Sequence, residues 1–267
     1  MRISGARDAS SVIATLFAEG SQGVQELGDD IVTWFPSESS AKKVRDVVSA
    51  TDPTARVALT PGQPRDWSQS RAEVKAHRLG VLTIAPPWLV SGLDPETTIV
   101  IDPAMAFGTG EHGTTRGVLR LMQRIPLAGL VVADLGAGSG ILSIAAAKLG
   151  ARKIIAIELD QEATGNAVAN IAANGVLDRV HFVEGDAFAL LPLVAPVDVI
   201  FANILSSVLV DLLPVMRDSL APGGRAILSG MLLDERGSMA SEIDRGGWHV
   251  DLEDAEDEWW SALISRA

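Results

Sequence analysis

Cysteine is absent from this 267-residue chain, which removes any disulfide framework and any thiolate metal site. Its four histidines are scattered, so no metal is expected. Aromatic residues are sparse, at 4 %, although 47 % of the chain is hydrophobic. No apolar run approaches the roughly 20 residues that cross a bilayer, and neither internal repeats nor low-complexity tracts occur. The stretch Met1-Arg-Ile-Ser-Gly-Ala-Arg-Asp8 lacks the apolar centre of a secretory signal. The expectation is a soluble, cytoplasmic globular protein with no membrane partner, holding one large core and at most a small satellite domain. Basic side chains are also few, 22 against 34 acidic, for a formal charge of −12. Residues 101–267 hold 12 basic and 22 acidic side chains, a balance of −10. Such a surface repels nucleic acid, whose binding depends on neutralising phosphates, and attracts a basic protein. Acidity also simply keeps a protein in solution.

What the chain does have is concentrated at residues 131–149. The apolar run Val131-Val-Ala-Asp-Leu135 leads into Gly136-Ala-Gly-Ser-Gly140 and then into helical spacing from Ile141. This predicts strand, tight turn and helix. Alternate glycines permit backbone angles closed to other residues and let a ligand lie against the main chain. The corner falls at the carboxyl end of a strand, where open α/β sheets bind their ligands. A dinucleotide fingerprint needs its third glycine three places after the second, and that position is Ile141. The spacing Gly136, Gly138, Gly140 after Asp134 suits a nucleoside carrying an amino acid, though such a corner also serves merely to pack a helix close to its strand.

Upstream, a helix is expected over residues 10–19 (Val12, Ile13, Leu16 and Phe17 inward), then strands at 24–27 and 31–35 around a turn at Gly28-Asp-Asp30. A helix from Ser39 or Ser40 and a strand at 56–59 complete an α-β-β-α-β order. That is the split β-α-β plan with its first strand missing or reduced to Arg2–Ser4. The expected division is a small α+β domain over 1–60, a linker over 61–95 and an α/β domain over 96–267. Prolines punctuate the linker, which also carries Trp67 and Trp88, a helix at 69–77 and a strand at 80–84. A glycine-rich segment with Gly108 and Gly110 precedes a helix at 117–122. It offers a lid, and Thr114 and Thr115 stand where side-chain oxygens cap helix amides.

Beyond the corner, a second strand at 153–159 carries Glu158, twenty residues after Gly138, the interval at which an acid meets ribose hydroxyls. A third strand, 180–184, leads to Asp186, an acceptor for the exocyclic amine of adenine. The fourth, 198–203, ends in Asn203. Its neutral carbonyl suits holding an amine and aiming the nitrogen lone pair, and turn capping is the plainer role. A helix at 212–220, a turn at Pro222-Gly-Gly224, a strand at 225–228 and closing strands at 248–252 and 259–265 follow. The acids 251, 253, 254, 256, 257 and 258 between the last two read as a solvated bend.

Three segments resemble the ribosomal protein L11 methyltransferases, the PrmA family: Ile101-Asp-Pro-Ala-Met-Ala-Phe-Gly-Thr-Gly-Glu-His-Gly-Thr-Thr115; Asp134-Leu-Gly-Ala-Gly-Ser-Gly-Ile-Leu-Ser-Ile-Ala-Ala-Ala-Lys-Leu-Gly-Ala151; and Ala202-Asn-Ile-Leu205. Weaker likeness runs through Asp66-Trp67, Pro86-Pro-Trp88, Gly23-Val24 and Trp34-Phe-Pro36. The resemblance implies a Rossmann-like, seven-stranded class I methyltransferase sheet whose last two strands form an antiparallel hairpin. It also implies a small amino-terminal domain that docks the ribosomal protein; here that domain, ferredoxin-like in its element order, is shortened relative to the family. S-adenosylmethionine is the implied cofactor, with contacts at Thr115, Gly136, Glu158 and Asn203, and Asp134, Gly138 and Asp186 join them from the residue reading. Glu158 replaces an aspartate usual in the family, and Ala137 a common cysteine.

The expected reaction is in-line transfer of a sulfonium methyl to an uncharged lysine or N-terminal amine of L11, by a monomer, with Asn203 positioning the nitrogen. No dedicated base stands out; His112 in its glycine-rich loop reads as structural or solvated. Alternatives are a methyltransferase acting on another protein or a small amine, a nicotinamide-dependent oxidoreductase, and a non-catalytic module that binds the methyl donor. A nucleic-acid amine methyltransferase lacks its stacking platform here, since Ile204, Leu205 and Ser206 follow the amide.

Overall fold

A computed structural model describes residues 1–7, 12–13, 15–16, 19, 21, 24–27, 30–33, 35, 38–59, 75–102 and 110–267. The chain divides into two compact units, Met1–Glu73 and Val74–Ala267. The first contains β1 (Arg2–Ser4), β2 (Val24–Leu27), β3 (Asp30–Thr33), α1 (Glu38–Thr51) and β4 (Arg56–Ala58). Its sheet runs β2-β3-β1-β4 with every neighbour antiparallel. The first strand is therefore present in its reduced form, and its three residues hold the centre of the sheet. Val12 and Leu16 are helical, and with Ile3, Ile31, Val44 and Val48 they form a small buried core. Phe17, Trp34 and the turn residues Gly28 and Asp29 lie outside the described residues.

In the second unit the expected linker is partly sheet. Residues 60–74, with Trp67 and most of the helix expected at 69–77, lie outside the described residues. From His77 onward come β5 (His77–Leu79), β6 (Leu82–Ala85), a 3-10 turn (Pro87–Leu89) holding half-exposed Trp88, and β7 (Thr98–Val100). β5 pairs antiparallel and β7 parallel with β6. Leu82, Ile84 and Ile99 are buried in the main core, so prolines punctuate the stretch without freeing it.

The main sheet follows. Its elements are α2 (Gly113–Met122), β8 (Val131–Leu135), α3 (Ile141–Lys148), β9 (Lys153–Glu158), α4 (Gln161–Ala173), β10 (Val180–Glu184), α5 (Ala187–Val194) and β11 (Val197–Asn203). Then come α6 (Ser206–Ser219), β12 (Leu220–Leu232), a 3-10 turn (Leu233–Glu235), α7 (Arg236–Arg245), β13 (Trp248–Glu256) and β14 (Trp259–Arg266). The seven strands lie in the order β10-β9-β8-β11-β12-β14-β13. All neighbours are parallel except the pairs made by β14, which runs antiparallel to β12 and β13. Successive residues alternate between two cores. Val132, Ile154 and Phe201 join one, while Ala133, Ile155 and Ile200 join the other. Strands covered on both faces read as continuous apolar runs, which is why they were legible. No helix among the described residues is long and apolar enough to cross a membrane.

Several boundaries differ from expectation. Helix α2 begins at Gly113, because His112 caps it. Pro222-Gly-Gly224 lies within β12, where the register with β11 slips between Val197–Leu220 and Val199–Arg225 and Gly223 takes φ 76°. Helices α5 and α7 carry no clear sequence signal, since α5 is apolar all round with Pro192 inside and α7 buries only Met239 and Ile243. The acidic run is no solvated bend throughout. Only Asp257 and Glu258 sit between β13 and β14. Asp254 and Glu256 bind Arg120, Glu256 also binds Arg116, and Glu253 binds Arg236.

Candidate active site

Strand order reverses between β8 and β11, and chains leaving adjacent strands toward opposite faces open a crevice at their carboxyl ends. Leu135 on β8 is paired with Ala202 on β11. The glycine corner and Asn203 therefore leave the sheet side by side. The corner is built as its glycines predict. Gly136, Gly138 and Gly140 take φ 71°, 51° and 79°, and the amides of Gly136 and Ala137 both donate to the Ile157 carbonyl on β9. A Cβ at Gly136 would stand 2.5 Å from Ile204 Cγ2, so only glycine lets the corner and the end of β11 approach this closely.

Asp134, the acid before the corner, is fully buried. Its Oδ2 accepts from Ser143 Oγ on α3 at 2.6 Å, and its Oδ1 has no partner among the described residues. Burial pushes the carboxyl up to about 6 against the opposing pull of the Ser143 hydrogen bonds. Glu158, at the end of β9, accepts from the Gly138 amide through Oε2 and from the Asp160 amide through Oε1, each at 2.8 Å. The acid twenty residues downstream thus shapes the corner directly, and a carboxylate with two such bonds retains lone pairs on both oxygens. Asp186 caps α5 by accepting from the Phe188 amide at 2.9 Å, and the Gly185 amide beside it donates to the Glu158 carbonyl.

Asn203 ends β11. Its Nδ2 lies 3.5 Å from Thr115 Oγ1 on α2, while its Oδ1 is buried and has no partner among the described residues. A buried amide carbonyl left without a donor is costly in a folded protein, and this oxygen and Asp134 Oδ1 are the two buried acceptors of the site without a donor among the described residues. Thr115 is fully buried in the first turn of α2. His112 has a structural role: its ring caps the helix by accepting from the Thr114 amide and stacks, tilted, against Trp259. Gly110 is buried with φ 88°, and its carbonyl accepts from His77 Nε2 at 3.0 Å. Residues 103–109, with Gly108 and the expected lid, lie outside the described residues.

Other residues with a part in the site carried no local signal. Ser229, the β12 partner of Asn203 in register, donates to the Thr114 carbonyl and bonds Ser261 at 2.7 Å. Gly117 permits this contact, since a Cβ there would stand 2.4 Å from Ser261 Oγ. Arg116 and Arg120 tie the same helix to Glu256 and Asp254. Asn170 on α4 donates to the Ser139 carbonyl within the corner and accepts from the Asp102 amide. The first turn of α2 and the corner are thereby held from behind.

The family model for "Ribosomal protein L11 methyltransferase (PrmA)" matches residues 8–267. The chain is 34 % identical over 260 residues to the ribosomal protein L11 methyltransferase of Thermus thermophilus, spanning 97 % of this chain and 96 % of that one. It is 36 % identical over 221 residues to that of a Synechococcus strain, spanning 80 % and 73 %. Among solved structures, the ribosomal protein L11 methylase of Lactobacillus delbrueckii subsp. bulgaricus superposes with a TM-score of 0.65 at 32 % identity, covering 72 % of this chain and 99 % of that one. With a Rossmann-like sheet of this order and a match over nearly its whole length, the chain is a methyltransferase and belongs to the ribosomal protein L11 methyltransferase family.

Proposed function

We propose that this protein transfers methyl groups from S-adenosylmethionine to lysine or N-terminal amines of ribosomal protein L11, acting as a monomer in the cytoplasm. The observation that carries the reading is the buried carbonyl of Asn203, without a partner among the described residues, beside the glycine corner. S-adenosylmethionine supplies an activated sulfonium methyl. The residues present fit this donor: Glu158 offers free lone pairs to ribose hydroxyls, and Asp186 an acceptor to the adenine amine. Asp134 Oδ1 offers a buried acceptor to the ammonium of the amino-acid part, while Gly136 and Gly138 bring backbone against it and Thr115 closes the side near Asn203.

The Asn203 carbonyl accepts a hydrogen bond from the incoming amine and turns the nitrogen lone pair toward the line of attack. Its Nδ2, held near Thr115, fixes which way the amide faces. Alignment and exclusion of water are the principal contributions such a site can make. A lysine has a reference pKa of about 10.4 and must shed a proton first; desolvation at the mouth of the crevice favours the neutral amine, and the proton leaves to solvent. The match of the family model from residue 8 onward supports the ribosomal substrate.

The test is incubation with labelled methyl donor and ribosomes lacking L11 methylation, followed by mass spectrometry of the labelled polypeptide. Label in L11 is expected. Label confined to other polypeptides, or none, overturns the substrate.

A further inference from the structure

Around the end of β11 the surface is aliphatic. Leu205 is 71 % exposed, Leu233 42 %, Leu232 37 % and Val208 36 %. Exposed leucines scattered singly are ordinary, whereas grouped ones mark interaction surfaces. These four are grouped by the backbone itself. Leu205 stands at the N-cap of α6 and Val208 in its first turn, where the Val208 amide donates to the Leu205 carbonyl. Ser206 Oγ then donates to Glu235 Oε1, and Glu235 Oε2 accepts from the Leu232 amide. Gly230 is pressed against Ile204, whose carbonyl oxygen would stand 2.2 Å from a Cβ placed there. The strand ends that carry Asn203 and the 3-10 turn after β12 therefore form one rim.

The charge beside this rim has one sign. The Leu233 amide donates to the Glu258 carbonyl at 2.7 Å, which fixes the β13–β14 bend alongside. Asp234, Asp257 and Glu258 are all exposed, and none has an ion-pair partner among the described residues. Glu253, Asp254 and Glu256 on the same hairpin are by contrast paired with arginines.

We propose that Leu205, Val208, Leu232 and Leu233 form the docking lip for the segment of a cationic protein substrate that carries the accepting amine, with Asp234, Asp257 and Glu258 facing its positive charges. The occupant follows from the chemistry. An apolar strip flanked by free carboxylates suits lysine-bearing chain, whose aliphatic stems cover leucine while their ammonium heads reach the acids. It disfavours a nucleic acid, which the same acids repel. This rests on the reading of the protein as an L11 methyltransferase, since the lip borders the residue assigned to hold the amine.

The experiment compares wild type with Leu205→Ser/Leu233→Ser and with Asp234→Asn/Asp257→Asn/Glu258→Gln. Unmethylated L11 is titrated onto each protein saturated with S-adenosylhomocysteine, and methyl transfer is measured in parallel. Removing two aliphatic anchors should weaken L11 binding and raise KM roughly tenfold or more, leaving the affinity for S-adenosylhomocysteine unchanged. The acid variant should weaken binding less and flatten its dependence on salt. Equal L11 affinity in wild type and both variants overturns the lip. Binding that depends on the lip without methyl transfer by wild type supports the lip and overturns the assigned reaction; no binding by wild type overturns both.

Discussion

Replacing Asp134 by asparagine should remove a loss of stability that sets in as pH rises, while weakening the protein's grip on the methyl donor. In the folded chain burial pushes Asp134 up to about 6, whereas an aspartate in an unfolded chain titrates near about 3.9. Below pH ~4 the group is protonated in both states and its burial carries no charge penalty. Between pH ~4 and ~6 the unfolded chain releases this proton and the folded chain keeps it, so stability falls as pH rises. Above pH ~6 the loss is complete, and at about 1.4 kcal/mol for each pH unit separating the two values it reaches ~3 kcal/mol. An amide cannot ionise, so Asp134→Asn abolishes this loss. It keeps an acceptor for Ser143 Oγ, whose pull is already part of the folded value, but its Nδ2 sets a buried donor where Oδ1 has no partner among the described residues, at about 1–3 kcal/mol at every pH; between pH 4.5 and pH 8 the balance therefore shifts toward the variant by ~2 kcal/mol. The assay is urea unfolding of both proteins without ligand at pH 4.5 and pH 8, followed through fluorescence as buried Trp248 and Trp260 become exposed. The stability difference must grow in the variant's favour between the two pH values; a difference that stays flat, or shrinks, refutes the burial argument. Calorimetry with S-adenosylhomocysteine should show affinity reduced about tenfold or more, the scale of one hydrogen bond to a charged acceptor.

Asn203→Ala should lower the rate of methyl transfer about a hundredfold, the scale of lost alignment, with donor affinity little changed; lost binding with an unchanged bound-state rate contradicts the positioning role. Gly136→Ala combines a positive φ with a Cβ 2.5 Å from Ile204 Cγ2, so a loss of ~2–4 kcal/mol is expected. Gly175→Ala, with φ 66° but nothing within 4 Å among the described residues, should lose only ~1–2 kcal/mol, and equal melting temperatures for the two would deny the close approach at the corner. Arg120→Met removes the partner of Asp254 and Glu256, at about 1 kcal/mol for pairs this accessible to solvent. Arg116 and then Arg120 hold the Glu256 carboxyl below its usual range. Its stabilising effect is therefore present above the unfolded value of about 4.3 and fades as pH falls through the folded one. The variant and wild type should converge in acid, which urea midpoints at pH 3 and pH 7 would show.

The family match removes the nicotinamide reading that the glycine spacing already disfavoured, because the dinucleotide pattern needs glycine where Ile141 stands. Ile141 is instead a buried residue of α3.

The sequence by itself determined whatever is encoded within a dozen or so neighbouring residues. Continuous apolar runs specified strands covered on both faces, alternate glycines specified a corner of positive φ, and acids at strand ends specified polar groups along one edge. The backbone has few options at such positions, so these patterns hold in any surroundings. Only the tertiary structure decided which polar groups end without a partner and which acids acquire one. Asn203 meets Thr115 across 88 positions, Ser229 meets Thr114 across 115, and Arg120 meets Asp254 across 134. Such pairs leave no local period or composition to read. The acidic run at 251–258 looked like solvated turn because its charge is local, while the arginines that bind Asp254 and Glu256 come from a helix far back in the chain. The stretch from His77 onward looked like linker because its prolines are local, while the core that buries Leu82, Ile84 and Ile99 comes from elements that follow it. Burial is a property of the assembled sheet, and it alone turns an ordinary strand-end asparagine into a buried acceptor without a donor among the described residues.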